Sequence, residues 1–251
     1  MFHGFLPVIK RLGLLLCLVA GAGAGWAQTP ALRVAVLENS PPMSFRDSSG
    51  KLTGFSAEVI RAVCEEMLAR CELQVTTLDR VIDVLVQDEV DIAAVSLLDT
   101  PERRSRILLA KPYFRSLSLW FAQPGVQPGS PDVRVAVVRG SAQERYALKQ
   151  GWPVVGAPTN GELGDPLIAG VAQAAVIPMS TALNLQKNPA FKQLGMVSSV
   201  MPVAELTGEA SFGINPKRPD LKKAVDEALD KIKSNGVYDR INSQFLPFRG
   251  N

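Results

Sequence analysis

Two short apolar segments in different halves of the chain have nearly the same sequence. Residues Leu32–Val36 read LRVAV, and residues 133–137 read VRVAV. Such β-branched runs are typical of buried strands. Each opens a region in which strand-like and helix-like patterns alternate, and this order produces a parallel sheet covered by helices. The pattern predicts an α/β protein with two lobes, each a mostly parallel sheet flanked by helices.

Apolar residues at helical spacing predict four helices. The first is expected to be capped by Ser56 and the second by Asp79, because both residue types favour the N-cap position. The third covers residues 142–150 and is followed by Gly151, while the fourth covers residues 220–234. Helices and strands therefore alternate through both lobes.

The N-terminus has the pattern of a secretory signal peptide. Lys10 and Arg11 precede a short apolar run, and small residues lead to Ala27, after which we expect cleavage. The apolar run is shorter than the roughly 20 residues that a membrane-spanning helix needs. Residues 1–27 are therefore assigned as a signal peptide, and the mature protein is expected in the periplasm.

Cleavage after Ala27 limits the chemistry of the mature chain. It removes His3, the only histidine, which excludes nucleophilic triads and metal sites that need imidazole. It also removes Lys10 and Arg11 from the 27 basic residues, which leaves 25 against 24 acidic residues and a net charge near +1. We expect no metal, no cofactor, and neither nucleic acid nor an anionic membrane as partner. Carboxylate or lysine chemistry stays open.

Two cysteines survive this processing, Cys64 and Cys71. In an oxidising compartment a disulfide is the expected state of such a pair. Two separate buried thiols are the alternative, because the sequence does not fix the distance between the two Cβ atoms.

Six motifs occur in an order and spacing that resemble one family of exported proteins. They are PPMSF at 41–45, GKLTGF at 50–55, VDIAA at 90–94, TPERR at 100–104, PYF at 112–114 and VVRGSAQE at 137–144. Over about 32–248 the chain resembles the family-3 extracellular solute-binding proteins, the periplasmic receptors of polar amino-acid ABC transporters. The resemblance implies a type II periplasmic-binding clamshell, with ligand bound in the cleft between the lobes.

The resemblance also implies how the chain divides between the lobes. Lobe 1 is expected to contain residues 28–116 and 208–251, and lobe 2 residues 117–207. The crossings between lobes would fall near 115–119 and 205–210. We expect a monomer whose closed form is recognised by an ABC permease in the inner membrane.

Arg103 matches the arginine that takes the ligand carboxylate in this family. A planar guanidinium can donate two parallel hydrogen bonds to a carboxylate and keeps its charge in a partly desolvated cleft. The alternative is that Arg103, beside Arg104 and Arg106, belongs to a solvated basic turn. Ser96, at the end of a predicted buried strand, could donate to the same carboxylate or be a turn residue.

Ser141 and Ala142 lie where a predicted strand meets a predicted helix. Free backbone N–H groups and the helix dipole at such a place favour an anion. Ser141 and Glu144 also have the spacing of a capping box, in which each side chain satisfies a backbone donor. Both roles are compatible, because backbone groups could face the ligand while the hydroxyl caps the helix.

Four positions depart from the amino-acid-binding pattern of the family. By alignment, Leu98 stands where a hydroxyl residue helps hold the carboxylate, and Pro178 stands where an acidic residue pairs with the α-ammonium. Ser40 and Leu78 stand where aromatic rings often enclose the ligand. The sequence therefore keeps only part of the set that holds the ligand carboxylate in this family, and it lacks the acidic residue that pairs with the ligand ammonium.

Other polar residues could replace the missing groups. Glu38 and Asn39 follow the first strand, and Asp99 and Glu209 also lie near predicted strand ends. Each could equally be a solvated loop residue. All four are candidates for the cleft.

These residues predict a solute-binding protein, not an enzyme, that captures a small carboxylate-bearing solute by hinge closure. The expected ligand is a carboxylate without an α-ammonium, or an amino acid whose ammonium pairs with Glu38. A dehydratase or lyase on the same clamshell is the first alternative, with Glu38 or Glu209 as catalytic acid. A sensory receptor for a membrane kinase is the second.

Overall fold

The computed structural model describes residues 1–4 and 30–249. Most of the predicted signal peptide, with its cleavage point after Ala27, lies outside these residues. The strands are β1 (Leu32–Val36), β2 (Asn39–Ser40), β3 (Ser44–Arg46), β4 (Leu52–Thr53), β5 (Cys71–Val75), β6 (Ile92–Leu98), β7 (Leu108–Leu109), β8 (Phe114–Ser116), β9 (Ser118–Ala122), β10 (Val135–Val138), β11 (Val154–Ala157), β12 (Ala174–Pro178), β13 (Val197–Val200) and β14 (Gly208–Ile214).

Helices connect most of these strands. They are α1 (Phe55–Glu66), α2 (Val81–Val86), α3 (Pro101–Arg104), α4 (Ala142–Lys149), α5 (Asp165–Ile168), α6 (Met179–Leu185), α7 (Pro189–Gln193), α8 (Pro219–Ser234) and α9 (Val237–Phe245), with a short 3₁₀ turn at Ala204–Leu206. The longest, α8, begins with Pro219 and has Lys231 and Lys233 in its last turn, where cations interact favourably with the helix dipole.

The strands form two main sheets with the same plan. The first has the order β5-β1-β6-β14-β7, with β8 also paired to β14, and the second has the order β11-β10-β12-β9-β13. In each, three neighbouring strands are parallel, and one strand, β14 or β9, runs antiparallel to them. The remaining strands β7, β8 and β13 pair antiparallel with β14 or β9. The two-lobed α/β architecture is confirmed, with each sheet mixed beyond its parallel part. A small third sheet joins β2, β3 and β4.

Each main sheet is packed on both faces. Alternate residues of β1 point to opposite sides, so that Val34 enters a core with α1, α8 and α9, and Ala35 enters a core with α2. Strand β10 does the same in the second sheet, where Ala136 and Val137 enter separate cores. Burying a single large side chain such as Phe55, which is fully buried, contributes about 2 kcal/mol. Each sheet therefore has its own packed core on both faces.

The chain passes between the sheets at two points. Strand β8 of the first sheet ends at Ser116, and β9 of the second begins at Ser118. On the return, β13 of the second sheet ends at Val200, and β14 of the first begins at Gly208. The carboxyl ends of β1 and β6 face those of β10 and β12 across a cleft, because residues next to or within these ends line one cavity.

The predicted disulfide is confirmed. Cys64 near the end of α1 is bonded to Cys71 at the start of β5, with Cα atoms 6.2 Å apart. This bond ties the first helix to the edge strand of the first sheet.

Two of the predicted helix caps are wrong. Helix α1 is capped by Gly54, and Ser56 is fully buried in its first turn, where its hydroxyl bonds to other side chains. Helix α2 is preceded by Arg80, not Asp79, and has no side-chain cap. A tertiary contact decides the role of Ser56, because its buried hydroxyl finds a stronger partner in the core than in its own helix.

Candidate functional site

A cavity lies between the two sheets, with an empty volume of about 760 Å³ that includes space open to solvent. One group of lining residues is polar and uncharged: Ser40, Ser44, Ser56, Ser96, Ser116, Ser141, Gln143, Asn160, Ser180 and Thr181. A second group is apolar: Leu37, Met43, Leu78, Ala94, Val95, Leu98, Phe114, Val138, Ala142, Val176 and Pro178. Arg103 is the one charged residue among the described residues that line it.

Arg103 is held at the cavity by the short helix α3. Thr100 caps this helix by accepting a hydrogen bond from the backbone N–H of Arg103, 3.3 Å away, and Pro101 occupies the first helical position. The Arg103 side chain is only 5% exposed, and its Nη1 donates to the carbonyl of Leu98 at 2.9 Å. Its Nε is buried without a hydrogen-bond partner in the part of the chain that the structure describes. Arg103 is therefore no solvated turn residue.

The carboxylates next to Arg103 in sequence are paired with other arginines. Asp99 pairs with Arg104, and Glu102 pairs with Arg145 at 3.0 Å. Burial, and then the charge of Arg145, lower the pKa of Arg103 to about 10, although Glu102 acts in the opposite direction. The guanidinium still carries its charge at neutral pH. It is a buried cation with no salt-bridge partner among the described residues, which is costly until an anion binds.

Ser96 belongs to a cluster of three hydroxyls. Its Oγ lies 2.7 Å from the Tyr113 hydroxyl, which in turn lies 2.7 Å from Ser56 Oγ. Burial raises the pKa of Tyr113 despite these hydrogen bonds, so the phenol stays protonated. The cluster fixes the position of Ser96 at the edge of the cavity, where its hydroxyl could donate to an anion.

Ser141 caps α4 at the cavity wall. Its hydroxyl accepts from the N–H of Glu144 at 2.9 Å, while the Glu144 carboxylate accepts from the N–H of Gly140 at 2.7 Å. In the predicted capping box the backbone N–H of Ser141 donates to the Glu144 carboxylate, whereas in the structure the N–H of the preceding residue, Gly140, does so. Ala142 and Gln143, the first two helical residues, also line the cavity, so the amino end of α4 is directed at it.

The four positions that depart from the family pattern all line the cavity. They are Leu98, Pro178, Ser40 and Leu78. Leu98 is 6% exposed and packs against the core of the second sheet, and Pro178 ends β12. The described lining residues contain no acidic side chain that could pair with an ammonium.

Glu38 lies outside this cavity. It lines a smaller neighbouring pocket, which shares Leu37, Leu78 and other walls with the main cavity, and its carboxylate pairs with Arg46 at 2.9 Å. Glu209 is exposed, and its carbonyl accepts from the backbone N–H of Asp99. The main cavity is therefore lined by neither Glu38 nor Glu209, and Asp99 is not among its lining residues either.

Hydrogen bonds join the two lobes across the cleft. Asn39 donates to Thr159 Oγ1 at 3.0 Å and accepts a bond from the backbone N–H of Gly161 at 3.0 Å. Asn160 donates to Ser40 Oγ at 2.7 Å. Asn39, which lines the smaller pocket, therefore contacts the opposite lobe through these hydrogen bonds. The structure therefore has the lobes in contact around the cavity.

Several lining residues had not been predicted. Asn160 accepts from Thr181 Oγ1 at 3.1 Å, and Gln143 donates to Ser118 Oγ at 2.9 Å. Ser180 is also a lining residue. Position after a strand could have indicated Thr181 and Ser180, which follow β12 in α6. Asn160 lies in a loop without a local motif, so the sequence offered no signal for it.

The fold and the cleft define a bilobal solute-binding protein. The chain belongs to the bacterial extracellular solute-binding proteins, family 3, whose family model matches residues 32–248. No helix in residues 1–4 and 30–249 is long and apolar enough to cross a membrane.

Named relatives of this chain are amino-acid-binding proteins. It is 26% identical to the L-arginine-binding protein of Pseudomonas aeruginosa, over 96% of this chain and 98% of the relative. It is 25% identical to the lysine/arginine/ornithine-binding periplasmic protein of Escherichia coli, over 96% of both chains. A solved ancestral arginine-binding protein bound to arginine has the same fold, with a TM-score of 0.77 and 23% identity over 87% of this chain and 99% of that one.

Proposed function

We propose that this protein is an exported binding component that captures a small carboxylate-bearing solute and delivers it to an ABC permease. Lobe 1, with residues 28–116 and 208–251, and lobe 2, with residues 117–207, would close around the solute by rotation at the two crossings. The mature protein would act in the periplasm as a monomer. Surfaces on both lobes, aligned only in the closed form, would be recognised by the permease.

The observation that carries this proposal is the state of Arg103. A guanidinium that is buried, charged and without a carboxylate partner in the described residues is stabilised by an anionic ligand. Ser96 and the amino end of α4 line the same cavity, and both offer hydrogen-bond donors suited to a carboxylate. A carboxylate held by this set would contact both lobes, which couples binding to closure.

Binding without chemical change is the function this cavity supports best. A dehydratase or lyase would need a general acid or base within hydrogen-bond reach of its substrate. Glu38 is paired with Arg46 outside the cavity, and Glu209 is exposed. Arg103, with a pKa of about 10, is the one titratable lining group in the described part of the chain, and it is suited to holding an anion.

The proposal is tested by recovering the bound solute. Protein purified from its own host under gentle conditions is analysed by native mass spectrometry, and the solute is then released and returned to the protein in a calorimeter. Arg103→Ala should weaken its binding by about 2–5 kcal/mol, because the charge-assisted contact is lost while the carboxylate stays buried. Arg104→Ala is the matched control, since this exposed neighbour pairs with Asp99. Equal affinity of both variants, or release of a chemically altered solute, would contradict the proposal.

A further inference from the structure

We infer that the solute carries a single negative charge, with one carboxylate and otherwise only uncharged polar or apolar groups. This inference rests on the proposed function, and it narrows the ligand to monocarboxylates such as 2-hydroxy or 2-oxo acids. It excludes amino acids, dicarboxylates and cations as preferred ligands.

The charge balance of the cavity is the first argument. Arg103 supplies one positive charge, and no carboxylate, amine or imidazole lines the cavity elsewhere in the described residues. One ligand carboxylate neutralises Arg103 completely. A second carboxylate or an ammonium would be a buried charge without a partner, and burial of an unpaired charge is strongly unfavourable.

Closure of the lobes increases this penalty. Asn39 and Ser40 bond to residues of the opposite lobe, and these contacts cover part of the cavity from solvent. The nearest acidic alternative, Glu38, is held by Arg46 in the neighbouring pocket. An ammonium in the main cavity would have to compete with Arg46 for that carboxylate.

Two lining hydroxyls are suited to an uncharged polar group. Ser116 and Ser180 are 7% and 4% exposed, and neither hydroxyl bonds to another described residue. Both line the same cavity, and the N–H of Met179, next to Ser180, bonds to the carbonyl of residue 117, next to Ser116. Each hydroxyl can donate to a keto or hydroxyl oxygen of the ligand.

The test counts charges on the solute recovered from wild-type protein. Methyl esterification followed by mass measurement counts its carboxyl groups, and an acylating reagent that reacts with amines detects an ammonium group. We expect one methyl group to be added and no acyl group. An acylated or doubly esterified solute would overturn this inference and leave the proposed function intact. If no recovered solute binds more weakly to Arg103→Ala than to the wild-type protein, the proposed function itself fails.

A pair of variants tests the charge balance directly. Pro178 has φ −61° and precedes α6, a position that both Asp and Asn favour as helix caps. Pro178→Asp adds a negative charge to the wall, and Pro178→Asn adds a neutral group of the same size. We expect the recovered solute to bind Pro178→Asp at least about tenfold more weakly than Pro178→Asn, about 1.4 kcal/mol. Equal or tighter binding to Pro178→Asp would overturn the inference, and tighter binding would show that the solute carries a cationic group.

Discussion

Replacing Gly140 by alanine should prevent the lobes from closing. Gly140 follows β10 of the second sheet, immediately before Ser141. A Cβ built on it would be 2.3 Å from the Cα of Asp79 and 2.5 Å from its nitrogen, and Asp79 lies just before α2, which packs on the first sheet. These are backbone atoms, which cannot rotate away. Ordinary carbon contacts begin near 3.5 Å, so the two lobes would have to separate here by roughly 1 Å.

The expected effect on affinity is large compared with the effect on folding. Gly140 has φ +74°, and alanine in this left-handed region loses about 1–2 kcal/mol of stability whatever surrounds it. Gly151 has φ +71° with no other atom within 4 Å of its built Cβ, so Gly151→Ala has the same backbone strain without the lobe clash. We expect Gly140→Ala to bind the recovered solute about 10- to 100-fold more weakly than Gly151→Ala, because contacts across the cleft are loosened together.

Three measurements separate closure from stability. Calorimetry gives the affinity of each variant for the recovered solute, and small-angle X-ray scattering gives the change in radius of gyration when that solute is added. Urea unfolding should show similar losses of stability in both variants. If Gly140→Ala closes and binds as Gly151→Ala does, the lobe contact at Asp79 does not limit closure, and the reasoning is refuted.

Three further predictions concern stability and the hydroxyl cluster. Reducing the Cys64–Cys71 disulfide should lower the free energy of unfolding by about 2–3 kcal/mol in urea titrations, and no loss would contradict its stabilising role. Burial would raise the pKa of Asp91, but hydrogen bonds from Arg33 outweigh it and hold the pKa below its ordinary value of about 3.9. The stabilisation by ionised Asp91 is therefore complete above that value and is lost as the pH falls below it. The free energy of unfolding of Asp91→Asn should depend less on pH between about 5 and 2 than that of the wild type. An unchanged dependence on pH would show that the pair of Asp91 with Arg33 does not contribute. Tyr113→Phe removes the hydroxyl that holds Ser96, and a hydrogen bond with a net contribution of about 1 kcal/mol corresponds to about fivefold weaker solute binding. Unchanged affinity in calorimetry would show that the cluster does not position Ser96.

Local patterns in the sequence were sufficient for much of the fold. The LRVAV strand became β1, and its repeat became β10 with Val135 as its first residue. Helices α4 and α8 also lie within a residue or so of their predicted bounds, because their patterns are local, as is the stop signal Gly151 after α4. The disulfide followed from compartment and number of cysteines.

Features that depend on distant residues could not be read from the sequence. Ser56 has the residue type of a helix cap, but its partner Tyr113 is 57 residues away and takes its hydroxyl into the core. Glu38 was a candidate for the cleft, and the structure places it in the smaller pocket, paired with Arg46. The contact of Gly140 with Asp79 exists only because two lobes meet, so it has no local signature.

The central claim is that a carboxylate bound to Arg103 is what the two lobes close around. A crystal structure of the protein purified with its own solute tests this most directly. We expect one ligand carboxylate within about 3 Å of the Arg103 guanidinium, with further donors from Ser96 and the amino end of α4, and no ammonium at Pro178. A solute bound in the pocket beside Glu38, or one in the main cavity with a cationic group next to Arg103, would contradict the account.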